Sequence, residues 1–161
     1  MNSHFKFRFL LLFMTALISG LPGCDSIQGT GYIDGSWPWY PTDVSVHELT
    51  RISRADDEGR RFVEVRVEFR DRDGDPTKAC GMLDISISRP GEQEEPWMIQ
   101  EDLRDPQVSR SHWEGVTGTY LFSLEPTLSG LVPGRRIRVK VEYYGEDGAQ
   151  FSDTHELTWP E

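Results

Sequence analysis

Only two cysteines, Cys24 and Cys80, stand in the 161 residues. A small fold stapled by disulfides needs a larger framework, so this chain holds itself without one. Histidine is equally scarce: there are four, and none of His47, His112 and His155 stands in an HExxH or other paired metal spacing. Ser123 and Ser129 sit in no nucleophile elbow. No glycine-rich loop opens a helix, so nothing is built to cradle phosphate. Lysine is nearly missing, and Asp and Glu outnumber Lys and Arg by 27 to 17, for a net charge of −10. A chain of that sign is not expected to bind nucleic acid on bulk electrostatics. No apolar run reaches the ~20 residues that a membrane span needs. These absences remove the familiar catalytic constellations. The expectation is a protein that is not an enzyme, with no catalytic residue and no resident cofactor, calcium aside.

What is present begins with Lys6 and Arg8, followed by the ten mostly apolar residues 9–18. A short positive head before such a run has the form of a secretory signal. Leu21-Pro22-Gly23-Cys24 follows. It resembles the lipobox of bacterial lipoproteins, with an aliphatic residue three before the cysteine and a small one just before it. Pro22 departs from the usual small or hydroxyl residue. The resemblance implies that residues 1–23 are a signal peptide, that Cys24 carries the lipid, and that the chain is exported and lipid-anchored to the bacterial cell membrane. Asp25 resembles a signal that keeps enterobacterial lipoproteins in the inner membrane. Loss of residues 1–23 removes Lys6 and Arg8 and no acid, so the net charge moves from −10 to −12. The 138 residues that remain suit one domain with a real core.

Residues 24–42 read as the lipidated cysteine and a tether, rich in glycine and proline and without period. Extended, the 18 residues after Cys24 reach at most ~60 Å. Tyr32, Trp37, Trp39 and Tyr40 are unusual in a linker. Three roles stay open for them: a lid on the domain edge, a place at the lipid headgroup level, or a grip on a partner.

Residues 43–161 read as one all-β domain. Val63, Val65, Val67 and Phe69 alternate with Glu64, Arg66, Glu68 and Arg70. Strict alternation marks a half-buried strand. The same pattern predicts strands over 43–52, 62–70, 82–88, 96–100, 120–124, 136–143 and 150–159. Asp, Gly and Pro turns separate them at 56–59, 73–76, 89–91, 132–134 and 145–148. Residues 101–118 are polar and are expected to hold at most a short helical turn. About seven antiparallel strands with this punctuation predict a β-sandwich. The free Cys80 is expected as a small buried strand residue.

Leu131-Val-Pro133-Gly134 before the alternating run Ile137, Val139, Val141 resembles the corner of fibronectin type III and related Ig-like domains. Gly145-Glu-Asp-Gly148 resembles the turn to their last strand. Val67-Glu-Phe69 with the Asp/Gly/Pro turn after it resembles their second strand and its loop. The resemblance implies an Ig-like sandwich over roughly 43–160. Two positions depart from it: Ile137 stands for the corner tyrosine and Phe69 for the core tryptophan.

Two clusters are candidate sites. Asp71, Asp73 and Asp75 have the spacing of the first half of an EF-hand loop. Pro76 and Met82 occupy the places of the required glycine and glutamate, so that motif fails. In Ig-like order the 145–150 loop shares this pole. Glu146 and Asp147 would then join the three aspartates, either around calcium or as a solvated acidic turn. At the opposite pole, Arg60 and Arg61 would approach Arg135 and Arg136 near Asp56, Asp57 and Glu58. These read as surface ion pairs or as a patch for an anionic partner.

Three readings follow. The first is a non-enzymatic envelope lipoprotein whose sandwich is an interaction or structural module, its partner another envelope protein or a polysaccharide. The second is a calcium- or ligand-binding sandwich that uses the acidic loops 71–75 and 146–147. The third is an enzyme with an unrecognised site near His112 and Trp113.

Overall fold

The structure is a computed structural model that describes residues 40–91, 95–128 and 130–161. Cys24, Trp37 and Trp39 lie outside the described residues. Two antiparallel sheets form a β-sandwich. The first contains β1 (Asp43–Val46), β3 (Val63–Arg70), β7 (Thr119–Leu124) and β6 (Trp113–Glu114) in that order, and β2 (Arg51–Ile52) also pairs with β3. The second runs β5 (Trp97–Asp102), β4 (Gly81–Ser88), β8 (Arg136–Gly145) and β9 (Gln150–Thr158). One helix, α1 (Pro106–His112), joins β5 to β6.

Alternation builds this core directly. Val63, Val65, Val67 and Phe69 face Leu83, Ile85, Ile87, Val139 and Val141 across the sandwich, and all are fully buried. Registers such as Ile85 opposite Val141 and Val65 opposite Phe122 keep each apolar row on one face. A slip of one residue would turn every such row to water.

Three expectations change. The strand expected over 43–52 is broken at residues 47–50. There Thr50 Oγ1 accepts from Arg66 N at 2.9 Å and lies 3.3 Å from Arg66 O as donor. The hydroxyl replaces the missing backbone partner, so the ladder resumes at β2 without an orphaned group. The strand expected at 96–100 runs on to Asp102, where Leu103 N donates to Gly81 O at 2.9 Å. The segment 101–118 holds nearly two turns of helix, over seven residues, rather than one. Asp105 caps it by accepting from Gln107 N at 2.7 Å, and Pro106 occupies the first helical position.

Both edges of the sandwich are managed. Asp153, on the inward side of β9, reaches across to accept from Val46 N in β1 at 2.8 Å. An inward-pointing carboxylate on an edge strand discourages further pairing there. On the other side, His112 at the end of α1 stacks on Phe122 at 4.3 Å and bonds Leu121 O through Nδ1 at 2.9 Å.

Candidate functional site

The acidic loop between β3 and β4 is organised by its own first residue. Asp71 is buried, and its Oδ1 accepts from Asp73 N at 2.9 Å and from Asp75 N at 3.1 Å. Asp71 N in turn donates to Asp75 O at 3.0 Å. A carboxylate that bonds the backbone two residues on is an Asx turn, which explains aspartate at position 71 without a cation. Asp147 does the same in the β8–β9 turn, where its Oδ1 accepts from Ala149 N at 3.0 Å. Asp73 lies 3.9 Å from the Arg72 guanidinium. The 71–75 and 145–149 turns are brought to one pole because Gly81 pairs with Gly145. Asp71, Asp73, Asp75, Glu146 and Asp147 nonetheless do not converge. Among the described residues, no three His, Cys, Asp or Glu side chains stand close enough to hold a metal ion.

One testable consequence concerns Asp71. Asp71→Ala removes the acceptor of two backbone N–H groups at exposed positions, which should cost about 0.5–1.5 kcal/mol per bond. The melting temperature is expected to fall equally in calcium and in chelator. A loss seen only in calcium would make Asp71 a metal ligand instead.

The same pole holds an arrangement that the sequence did not reveal. Trp113, Tyr120, Phe69, Tyr143 and Phe151 form a chain of ring contacts from one sheet to the other. Their centroids are 5.1, 5.8, 4.9 and 6.2 Å apart in turn. Two hydroxyls of this chain hold the end of the acidic loop. Ala79 N donates to Tyr120 Oη at 3.2 Å, and Tyr143 Oη donates to Cys80 O at 2.7 Å. Burial pushes the Tyr143 hydroxyl well above the ordinary tyrosine range, so it stays a donor. A tyrosine from each sheet thus fixes the residues where the chain crosses between sheets. Cys80 itself precedes β4 and is half-buried, not a buried strand residue. Burial, and then the charge of Glu146, raise its thiol above the usual value. That is the opposite of an activated nucleophile.

At the far pole the arginines make local contacts. Arg60 pairs with Asp56 at 3.0 Å and Glu58 at 2.6 Å. The Arg60 backbone N–H, more than any other group, holds the Asp56 carboxyl below its usual range. Arg61 donates to Ser53 O and to Glu161 O. Arg135 contributes its carbonyl to Trp159 N at 2.7 Å. Arg136 and Arg138 share Glu156 at 3.1 and 2.9 Å. The Arg138 hydrogen bond is the main reason that the Glu156 carboxyl lies below its ordinary range. Arg60, Arg61 and Arg136 thus each bond a nearby acceptor. Tyr40 is half-buried just ahead of β1.

Around His112 the imidazole lies on Phe122, and Trp113 stands edge-on to Tyr120 with Lys78 Nζ 5.3 Å from its ring centre. The sequence matches no protein-family model, and neither a curated protein nor a solved structure is similar to it.

Proposed function

We propose that this chain is a membrane-anchored envelope lipoprotein whose sandwich, of the fibronectin type III-like kind, acts as a non-enzymatic interaction or structural module. The observation that carries the fold part is strand order. Lettered A to G, the seven longer strands give one sheet A-B-E, from β1, β3 and β7, and another D-C-F-G, from β5, β4, β8 and β9. Ig constant domains keep the fourth strand beside the fifth. Here the fourth strand has moved to the edge of the other sheet, which favours the fibronectin-like branch. The module part is supported by how the polar groups are used. The buried Asp71 and the tyrosine hydroxyls serve loops, and the arginines serve surface pairs. The anchor part rests on Leu21-Pro22-Gly23-Cys24.

Geometry also supports an orientation for the anchored domain. Thr42 N donates to Arg70 O at 2.7 Å, so the chain enters the sandwich beside the 71–75 turn. The acidic pole would then be nearest the membrane and the arginine-bearing pole outward. The test of the anchor is direct. Wild-type protein made in a bacterial host is expected to take up labelled fatty acid, and Cys24→Ser is expected to take up none. Label retained by the mutant would rule the anchor out.

A further inference from the structure

The outward face of the β5-β4-β8-β9 sheet is divided by charge along β8. Its outward residues read Arg136, Arg138, Lys140, Glu142 and Tyr144, and Glu146 follows in the turn; Arg136 and Arg138 also pair with Glu156, outward on β9. The column is self-complementary about Val141. Consider a second copy laid face to face, with strands antiparallel and a two-fold axis across the strands at Val141. Lys140 then meets Glu142 of the other copy, Arg138 meets Tyr144, and Arg136 meets Glu146. Each pairing occurs twice, as an isologous contact requires. Arginine over a tyrosine ring is itself attractive.

We propose that a second copy of this chain docks on this face through the β8 column. The inference rests on the anchored-module reading and names the module's partner.

Two features of the face support a copy over another occupant. Asp84 stands directly opposite Glu142 in the β4–β8 ladder. Like charges in that position are unfavourable, and Lys140 of the second copy arrives beside them. The rows flanking β8 at its centre are short: Ser86 on β4, and Ser152 and Thr154 on β9, so two faces can approach closely. Each chain already pairs Lys140 with its own Glu142 at 2.9 Å. Both side chains are largely solvated, so that pair contributes little alone. Docking turns two separate pairs into one square of alternating charge.

Size sets the strength. Four strands at ~4.8 Å spacing and about 30 Å of strand give a face of roughly 570 Å². That is below the ~800 Å² per partner of a standard stable interface. Association is therefore weak in solution and depends on crowding at a membrane. The antiparallel arrangement puts the two chain entries at opposite ends, so the orientation proposed for the anchored domain holds for a lone copy, and in the docked pair the two acidic poles point opposite ways. A tether that extends to ~60 Å still lets both lipids reach one bilayer.

The test uses full-length, lipidated copies carrying two different tags, co-isolated from mild detergent. Wild-type copies are expected to associate, and added salt should weaken them. Glu142→Arg alone sets an arginine against Lys140 of the other copy, and Lys140→Glu alone sets two glutamates together. Either should lower self-association at least about tenfold, as juxtaposed like charges do. A mixture of the Glu142→Arg and Lys140→Glu copies brings opposite charges together again and should associate as the wild type does. Rescue only in the mixture establishes the pairing. Equal association of all combinations, or of none, overturns it. Fatty-acid labelling of the same samples separates the two readings: labelled copies that never pair overturn the docking and leave the anchored module standing.

Discussion

Phe69→Ala is expected to lower stability by about 3–5 kcal/mol, the range for deleting a buried phenylalanine. For a domain of this size the melting temperature should fall by roughly 12–20 °C. The cost is high because of where the ring sits. Phe69 is fully buried on β3 of the first sheet. It stands edge-on to Tyr120 of its own sheet and to Tyr143 of the other, at 5.8 and 4.9 Å. Its removal leaves a cavity between two tyrosines that cannot collapse inward freely. Tyr120 Oη is held by Ala79 N, and Tyr143 Oη is bonded to Cys80 O. Either ring must break its loop contact to fill the space. Phe69→Leu retains much of the volume and should recover more than half of the loss. Thermal or denaturant unfolding measures both. A Phe69→Ala loss below about 1 kcal/mol would mean that the site relaxes and that the ring chain does not join the sheets.

The residues of this ring chain show what the sequence discloses and what it withholds. The longer strands that carry it were readable, because apolar residues recur at every second place in β3, β4, β7 and β8, and that recurrence is a local property; β6, which carries Trp113, was not. The turns between them predicted a sandwich of antiparallel strands but gave neither register nor strand order. The tyrosine hydroxyls were not readable, since their partners at Ala79 and Cys80 are 41 and 63 positions away in sequence. The break at residues 47–50 escaped for a related reason. His47-Glu48-Leu49-Thr50 contains no glycine or proline, and the interruption is made by a hydroxyl that substitutes for a backbone group across to β3. Helix α1 is the opposite case. Asp105-Pro106 is a capping residue followed by proline at the first helical position, and that local signal was there to be read. On β9 the alternation is real but polar. Asp153 and His155 take inward places between Phe151 and Leu157, because this edge strand lies over β1 and Asp153 bonds the Val46 amide. The candidate clusters were read from loop positions alone. Topology does not reveal whether five carboxylates face each other or face their own backbone, and here the backbone contacts of Asp71 and Asp147 prevail.

The second large effect is expected at Gly81. Gly81 and Gly145 stand opposite one another where β4 pairs with β8. Neither has a side chain, and the Tyr143 ring occupies the inward space that side chains would fill. A Cβ added at Gly81 would lie 2.8 and 2.9 Å from Tyr143 ring atoms and would also press on the Tyr144 carbonyl oxygen. The carbonyl belongs to β8, which is paired on both sides, by β4 and β9, so it cannot swing away freely. The ring is tied by its hydroxyl at Cys80 and wedged against Phe69. Gly81→Ala therefore forces backbone to move, and overpacking of this kind costs about 3 kcal/mol at its upper end. The double change Gly81→Ala with Tyr143→Leu discriminates between causes. If the ring is the obstacle, the pair should be clearly less destabilised than the sum of the two single changes. If the carbonyl is the obstacle, the two losses should simply add. A Gly81→Ala protein as stable as the wild type would mean that β4 and β8 part easily at this end. In that event the tyrosine that spans the sheets would not be what holds the acidic pole in place.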